Sequence, residues 1–128
     1  MLEGAFYSIL SFGEKMTLNG QQHFRAEMLL NSGHAIYKGH FPGQPVVPGV
    51  CQIRIVHEIA QKATGLRLRL VESDTIKFLH PIDPRVNPSL DADLLIEKKD
   101  DGRFSVNATL GSGSSLFLKF KGKFVSRG

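Results

Sequence analysis

The stretch Gly39-His40-Phe41-Pro42-Gly43-Gln44-Pro45-Val46-Val47-Pro48-Gly49-Val50 joins one imidazole to three prolines and three glycines. Prolines fix φ and remove entropy from the unfolded loop, so His40 is carried on a stiff segment. A run of helical periodicity starts at Gly49. The backbone amides of Gly49 and Val50 are therefore expected as unpaired donors at the positive end of a helix. Donors of this kind can hold a thioester carbonyl and stabilise the enolate that forms when an α-proton leaves. A neutral imidazole beside them can take that proton.

The helix that presents those amides is predicted from Gly49 to about Ala63. Apolar Val50, Ile53, Val56, Ala60 and Ala63 recur at helical spacing, and Gly65 supplies the stop. Arg54, His57, Glu58 and Gln61 recur on a second stripe, which reads as a polar face. Upstream, Gly33, Gly39, Pro42, Gly43, Pro45 and Pro48 exclude helix and central strand from 31–48. Strands are expected at 5–13 and 21–30, joined by Asn19-Gly20, a strong hairpin signal. Four more are expected at 67–79, 91–99, 103–111 and 115–126. In the last of these, Leu118, Phe120 and Phe124 alternate with Lys119, Lys121 and Lys123. The lysine stripe reads as solvation and edge protection or as a docking surface for an acidic carrier. One long helix against about six strands is an α+β domain in which a curved, mainly antiparallel sheet wraps the helix. An open sheet edge and an apolar flank favour pairing with a second copy.

Length and composition agree with a single domain over residues 1–128, which is long enough for one sizeable core. Hydrophobic residues make up 41% and charged residues 22%, an ordinary globular balance. The lone Cys51 has no internal disulfide partner and reads as a buried thiol. The N-terminus lacks a basic start and a small-residue cleavage site, and no apolar run approaches the roughly 20 residues of a membrane span. The expected location is the cytoplasm. A net charge of +4 would suit nucleic acid or an acidic protein; no nucleic-acid-binding motif accompanies it, so nucleic acid is not expected. His23, His34 and His40 have no metal-ligand spacing, and no metal or cofactor is expected. Ser112, Ser114 and Ser115 belong to a turn with Gly111 and Gly113. His80 reads as a surface or interface residue.

GHFPGQPVVPGV resembles the signature of the bacterial 3-hydroxyacyl-[acyl-carrier-protein] dehydratases of fatty acid synthesis. Lys77-Phe78-Leu79-His80-Pro81-Ile82-Asp83-Pro84 is similar to that family's later Phe-x-x-Pro-x-x-Pro segment. The resemblance covers most of the chain and implies the hotdog fold. It further implies a homodimer with two active sites at the subunit interface and a tunnel for the acyl chain, alone or as a trimer of dimers. Acyl carrier protein bearing an acyl thioester is the implied partner. By this resemblance His40 matches the catalytic histidine and Gly49 and Val50 match the oxyanion turn. Phe41, Pro48, Tyr37 and Phe78 are then expected to line the substrate, although Tyr37 also reads as a packed aromatic.

The chain departs from the family one helical turn beyond Val50. There the family carries a Glu or Asp that helps expel the 3-hydroxyl, and here stands Arg54. A guanidinium with a pKa above about 12 lends no proton at neutral pH. Glu58, one turn further, reads either as the i,i+4 partner of Arg54 or, with His57 beside it, as a substitute acid. Three functions remain open. The first is a dehydratase of carrier-bound acyl chains. The second is a weak or inactive acyl-binding subunit in a mixed dimer with a complete homologue, and the third is a hotdog thioesterase.

Overall fold

The computed structural model describes residues 1–39 and 43–127. In chain order the elements are β1 (Tyr7–Leu18), β2 (Gln21–Leu30), α1 (Ile36–Gly39), α2 (Gly49–Thr64), β3 (Leu68–Phe78), β4 (Ser89–Lys98), β5 (Phe104–Ser112) and β6 (Ser115–Ser126). The strands form one six-stranded sheet in the order β1-β2-β4-β5-β6-β3, and every neighbouring pair is antiparallel. This is the hotdog arrangement, with α2 as the filling.

Alternation builds the inner face. Phe24, Ala26, Met28 and Leu30 of β2 are buried with Leu90, Ala92, Leu94 and Ile96 of β4. Phe104, Val106, Ala108 and Leu110 of β5 continue the layer, followed by Leu118, Phe120 and Phe124 of β6. The lysines that alternate with these last three lie on the opposite face. Register irregularities fall in β1, between Ile9 and Ser11 and between Glu14 and Met16. They recur in β3, between Leu70 and Glu72 and between Ser73 and Thr75. Bulges raise local twist, so both edge strands curl and the sheet wraps α2.

Asn19 and Gly20 both adopt positive φ, 54° and 81°, as a two-residue hairpin turn demands. Helix α2 ends where expected, on Gly65 in the left-handed region. The buried face of α2 is wider than the expected stripe and leaves out its first residue. Its centre is Cys51, Ile55 and Ile59, with Val56 and Ala60 beside them, whereas Val50 is 79% exposed. Of the expected stripe, Val56 and Ala60 are buried and Ile53 and Ala63 pack partly against the core, so Val50 alone falls outside, while Cys51, Ile55 and Ile59 recur at the same period and widen the covered face. A second correction concerns 31–48, which contains the single helical turn Ile36–Gly39. No proline lies between His34 and Lys38, and the imidazole Nδ1 of His34 accepts the Ile36 amide at 3.1 Å, which caps that turn. Among the described residues no helix is long and apolar enough to cross a membrane.

Candidate active site

The fold brings the two sequence motifs together at the opening of α2. Pro48 is the N-cap residue, with φ −59° and no side-chain cap. Its carbonyl accepts the amides of Cys51 and Gln52 at 3.0 and 3.1 Å. Among the described residues nothing accepts the amides of Gly49 and Val50. The preceding loop is tied to the second motif by the Val47 amide, which donates to the Ile82 carbonyl at 2.9 Å. Ile82 and Val47 are both buried, so this junction is rigid.

The Phe78 ring closes the arrangement over Gly49. A Cβ built at Gly49 would stand 2.8 Å from Phe78 Cζ, so only glycine admits the ring at this distance. Around that contact lies a cavity of about 370 Å³ lined by Val46, Val47, Gly49 and Gln52 from one motif and Phe78, Leu79, His80 and Pro81 from the other. Its volume is within the range of small-molecule sites. His40 and Phe41, the expected base and a substrate-lining residue, lie outside the described residues, as does Pro42.

Gln52 was not singled out by the sequence reading, although it stands among apolar positions of the helix, which was the available signal. It is 4% exposed, its Nε2 donates to the Val47 carbonyl at 3.3 Å, and its Oε1 has no partner among the described residues. The side chain thus pins the loop to the first turn of α2, and the carbonyl it grips fixes which amide atom is oxygen. Tyr37 is a packed aromatic, stacked on Phe6 at 5.8 Å between ring centroids. Its hydroxyl has no partner among the described residues, and burial, helped by Cys51 and Asp83, pushes its pKa up to about 12.

Glu58 is the i,i+4 partner of Arg54, and a buried one. Its side chain is 1% exposed, and four donors converge on it. The Leu2 amide donates to Oε2 at 2.6 Å, the Glu3 amide to Oε1 at 2.9 Å and the Tyr7 hydroxyl to Oε1 at 3.0 Å. Arg54 Nε supplies the fourth bond at 3.0 Å. Burial opposes the charge, yet these donors outweigh it and hold the carboxyl below its usual range. The Tyr7 hydroxyl is correspondingly pushed up, by burial first and then by the Glu58 charge. His57 is also occupied. Its Nε2 donates to the Leu68 carbonyl at 2.7 Å, which leaves Nδ1 to accept from Arg54 Nη1 at 3.5 Å. Its ring packs on Phe124 at 5.2 Å. Glu58 is therefore a saturated anchor for the N-terminal segment, 51 to 56 residues away in sequence. No sequence signal marked that contact.

A family model for ApeI-like proteins, described as ApeI dehydratase, matches residues 16–115. The chain belongs to this ApeI-like dehydratase family. It is 27% identical over 114 residues to the 3-hydroxyacyl-[acyl-carrier-protein] dehydratase FabZ of Novosphingobium aromaticivorans, covering 82% of this chain and 71% of that relative. Among solved structures, the dehydratase heterocomplex ApeI:P from Xenorhabdus doucetiae aligns at TM-score 0.61 and 20% identity, covering 92% of this chain and 96% of that one. A putative thioesterase, yhdA of Lactococcus lactis, aligns at 0.64 with 13% identity and 94% coverage of both chains. At these identities the structural likenesses speak to the hotdog fold, which dehydratases and thioesterases share.

Proposed function

We propose that this ApeI-like protein binds 3-hydroxyacyl thioesters carried on acyl carrier protein and removes the α-proton in a dehydration. The observation that carries the reading is the opening of α2, where the amides of Gly49 and Val50 have no acceptor among the described residues and Gly49 lines a cavity closed by Phe78. Gly49 and Val50 would receive the thioester oxygen, and charge developing there in the enolate is what oriented amides stabilise best. His40 would take the α-proton, a role resting on the sequence motif. Pro48 and Phe41 would shape the entrance and Gln52 would hold the loop in register. A second copy would pair along edge strand β3, where Ile76 and Phe78 stand 40% and 52% exposed, and close the tunnel beside Val50.

Expulsion of the 3-hydroxyl needs a proton donor. Arg54 cannot supply one, and Glu58 is ionised and fully engaged. That observation favours a second reading, in which the chain is the acyl-binding half of a mixed dimer whose homologous partner brings the acid. A thioesterase reading has the fold in its favour but the same missing carboxylate against it.

The test is turnover of 3-hydroxyacyl thioesters on carrier protein by purified wild type, His40→Ala and Arg54→Glu. The first reading expects wild-type turnover that falls on the order of 10²-fold or more in His40→Ala. A silent wild type that gains activity in Arg54→Glu supports the acyl-binding subunit. An unchanged rate in His40→Ala overturns the site.

A further inference from the structure

Dehydration needs a proton for the departing hydroxyl as well as a base for the α-proton, and neither Arg54 nor Glu58 supplies one. The wall of the cavity that faces α2 holds a group the α-proton step leaves idle. Among the described residues that line this cavity, His80 alone has an ionisable side chain. We propose that His80 is the general acid that delivers a proton to the leaving 3-hydroxyl, in place of the carboxyl missing at Arg54. The proposal rests on the reading of the site above and adds the group that reading lacks.

The backbone fixes where the ring stands. On one side of His80 the Leu79 amide donates to the Phe117 carbonyl at 2.8 Å, and on the other the Ile82 carbonyl accepts the Val47 amide at 2.9 Å. Pro81 further narrows the conformations open to the residue before it. The ring itself is free. Of the four histidines among the described residues, His23 is paired to Asp93 at 2.9 Å, His34 accepts the Ile36 amide at 3.1 Å and His57 bonds to the Leu68 carbonyl at 2.7 Å. His80 is exposed and has no hydrogen-bond or ion-pair partner among the described residues. An imidazole with both nitrogens open at a wet rim can give up a proton and be recharged from water. The carboxyl nearest to it along the chain is committed elsewhere. Arg85 holds Asp83 at 3.2 and 3.0 Å and keeps it below its usual range, so it carries no proton to give.

Two histidines balance the reaction. The Cα–H bond breaks as His40 takes the proton, and the electron pair enters the enolate whose oxygen the Gly49 and Val50 amides hold. That pair then forms the Cα=Cβ double bond as the Cβ–O bond breaks. The oxygen leaves as water, with its own hydrogen and the proton of the His80 imidazolium. His40 loses its proton to solvent and His80 regains one, so the net products are the enoyl thioester and water.

The experiment compares elimination from 3-hydroxyacyl and 3-chloroacyl thioesters loaded on acyl carrier protein, because chloride leaves without a proton. Wild type, His40→Ala, His80→Ala and His80→Gln are followed by mass spectrometry of the enoyl product, with the uncatalysed rate subtracted and circular dichroism checking that each variant folds. Both His80 variants are expected to lose about 10²-fold or more in kcat on the 3-hydroxy substrate. Their KM, and their rate on the 3-chloro substrate, are expected to stay within about threefold of wild type. His40→Ala is expected to lose both reactions. Added imidazole is expected to restore part of the 3-hydroxy rate to His80→Ala and to leave wild type unchanged. His80 variants that keep the 3-hydroxy rate overturn the proposal. So do variants that lose both rates equally, as a ring that only shapes the cavity or holds the carrier arm would. Wild type that releases chloride through His40 but leaves the 3-hydroxyl in place overturns the proposal and keeps the site. Wild type inert to both substrates rejects the site itself, and the proposal with it.

Discussion

At the opening of α2 the amides of Gly49 and Val50 and the side-chain oxygen of Gln52 lack partners among the described residues. Two turns further along, four donors saturate Glu58. Both regions are polar patches on one helix beside the sheet, and both looked like candidate chemistry in the sequence. Their difference separates function from architecture. Buried polar groups are normally satisfied within the fold, so a group left open at a cavity invites a ligand, and one with every lone pair occupied holds the chain together.

The largest expected effect that sharpens this contrast is at Glu58. Glu58→Gln keeps the shape but turns an amide group toward donors and should cost about 3 kcal/mol of stability. That corresponds to roughly 10 °C in Tm for a domain of this size, measurable by thermal melting. A depressed carboxyl contributes stability that is complete above the unfolded value of about 4.3 and is lost as pH falls through the lower folded value. Wild type should therefore weaken in acid below about pH 4, and Glu58→Gln should lack that component. Thioester binding in the variant at neutral pH should stay near wild type; a selective loss of binding without loss of stability would break the comparison.

Gly49→Ala probes the open region and should do the reverse. The added methyl meets Phe78 Cζ at 2.8 Å, and because Phe78 is half exposed its ring can swing away. Stability should change by less than about 1 kcal/mol. Turnover or thioester affinity should fall about 10- to 100-fold, since the ring no longer closes over the amides. Unaltered kinetics would remove the Phe78 lid from the site.

The smallest effect is expected at Arg54, which belongs to both regions by position and to the Glu58 network by contact. Arg54→Glu removes one of the four donors and sets a second carboxylate one turn from the first. With the side chain 43% exposed, the cost should be about 1 kcal/mol in a denaturant titration. A stabilised variant would mean that the ion pair contributes nothing to the anchor.

Much of the fold was legible because its signals are local. The alternation in β6, the Asn19-Gly20 turn and the Gly65 stop each depend on a few adjacent residues, and each lies where expected. The core-facing side of α2 was only partly legible: Val56 and Ala60 are buried as their spacing implies, whereas Cys51, Ile55 and Ile59 share that period and Val50 lies outside. A likeness to the 3-hydroxyacyl-[acyl-carrier-protein] dehydratases was legible in the GHFPGQPVVPGV loop.

The sequence by itself determined one helix against about six strands, a stiff loop before the helix N-terminus and an arginine one turn beyond Val50, and the resemblance of that loop supplied the hotdog fold. The elements and the loop follow from backbone restriction and short-range periodicity. Only the tertiary structure decided that Val47 is bonded to Ile82, that Phe78 covers Gly49 and that Glu58 is taken up by Leu2, Glu3 and Tyr7. Each of these joins segments some thirty or more residues apart. Which polar group keeps a free lone pair is set by the partners that long-range packing brings within hydrogen-bonding distance, and local sequence carries no record of them.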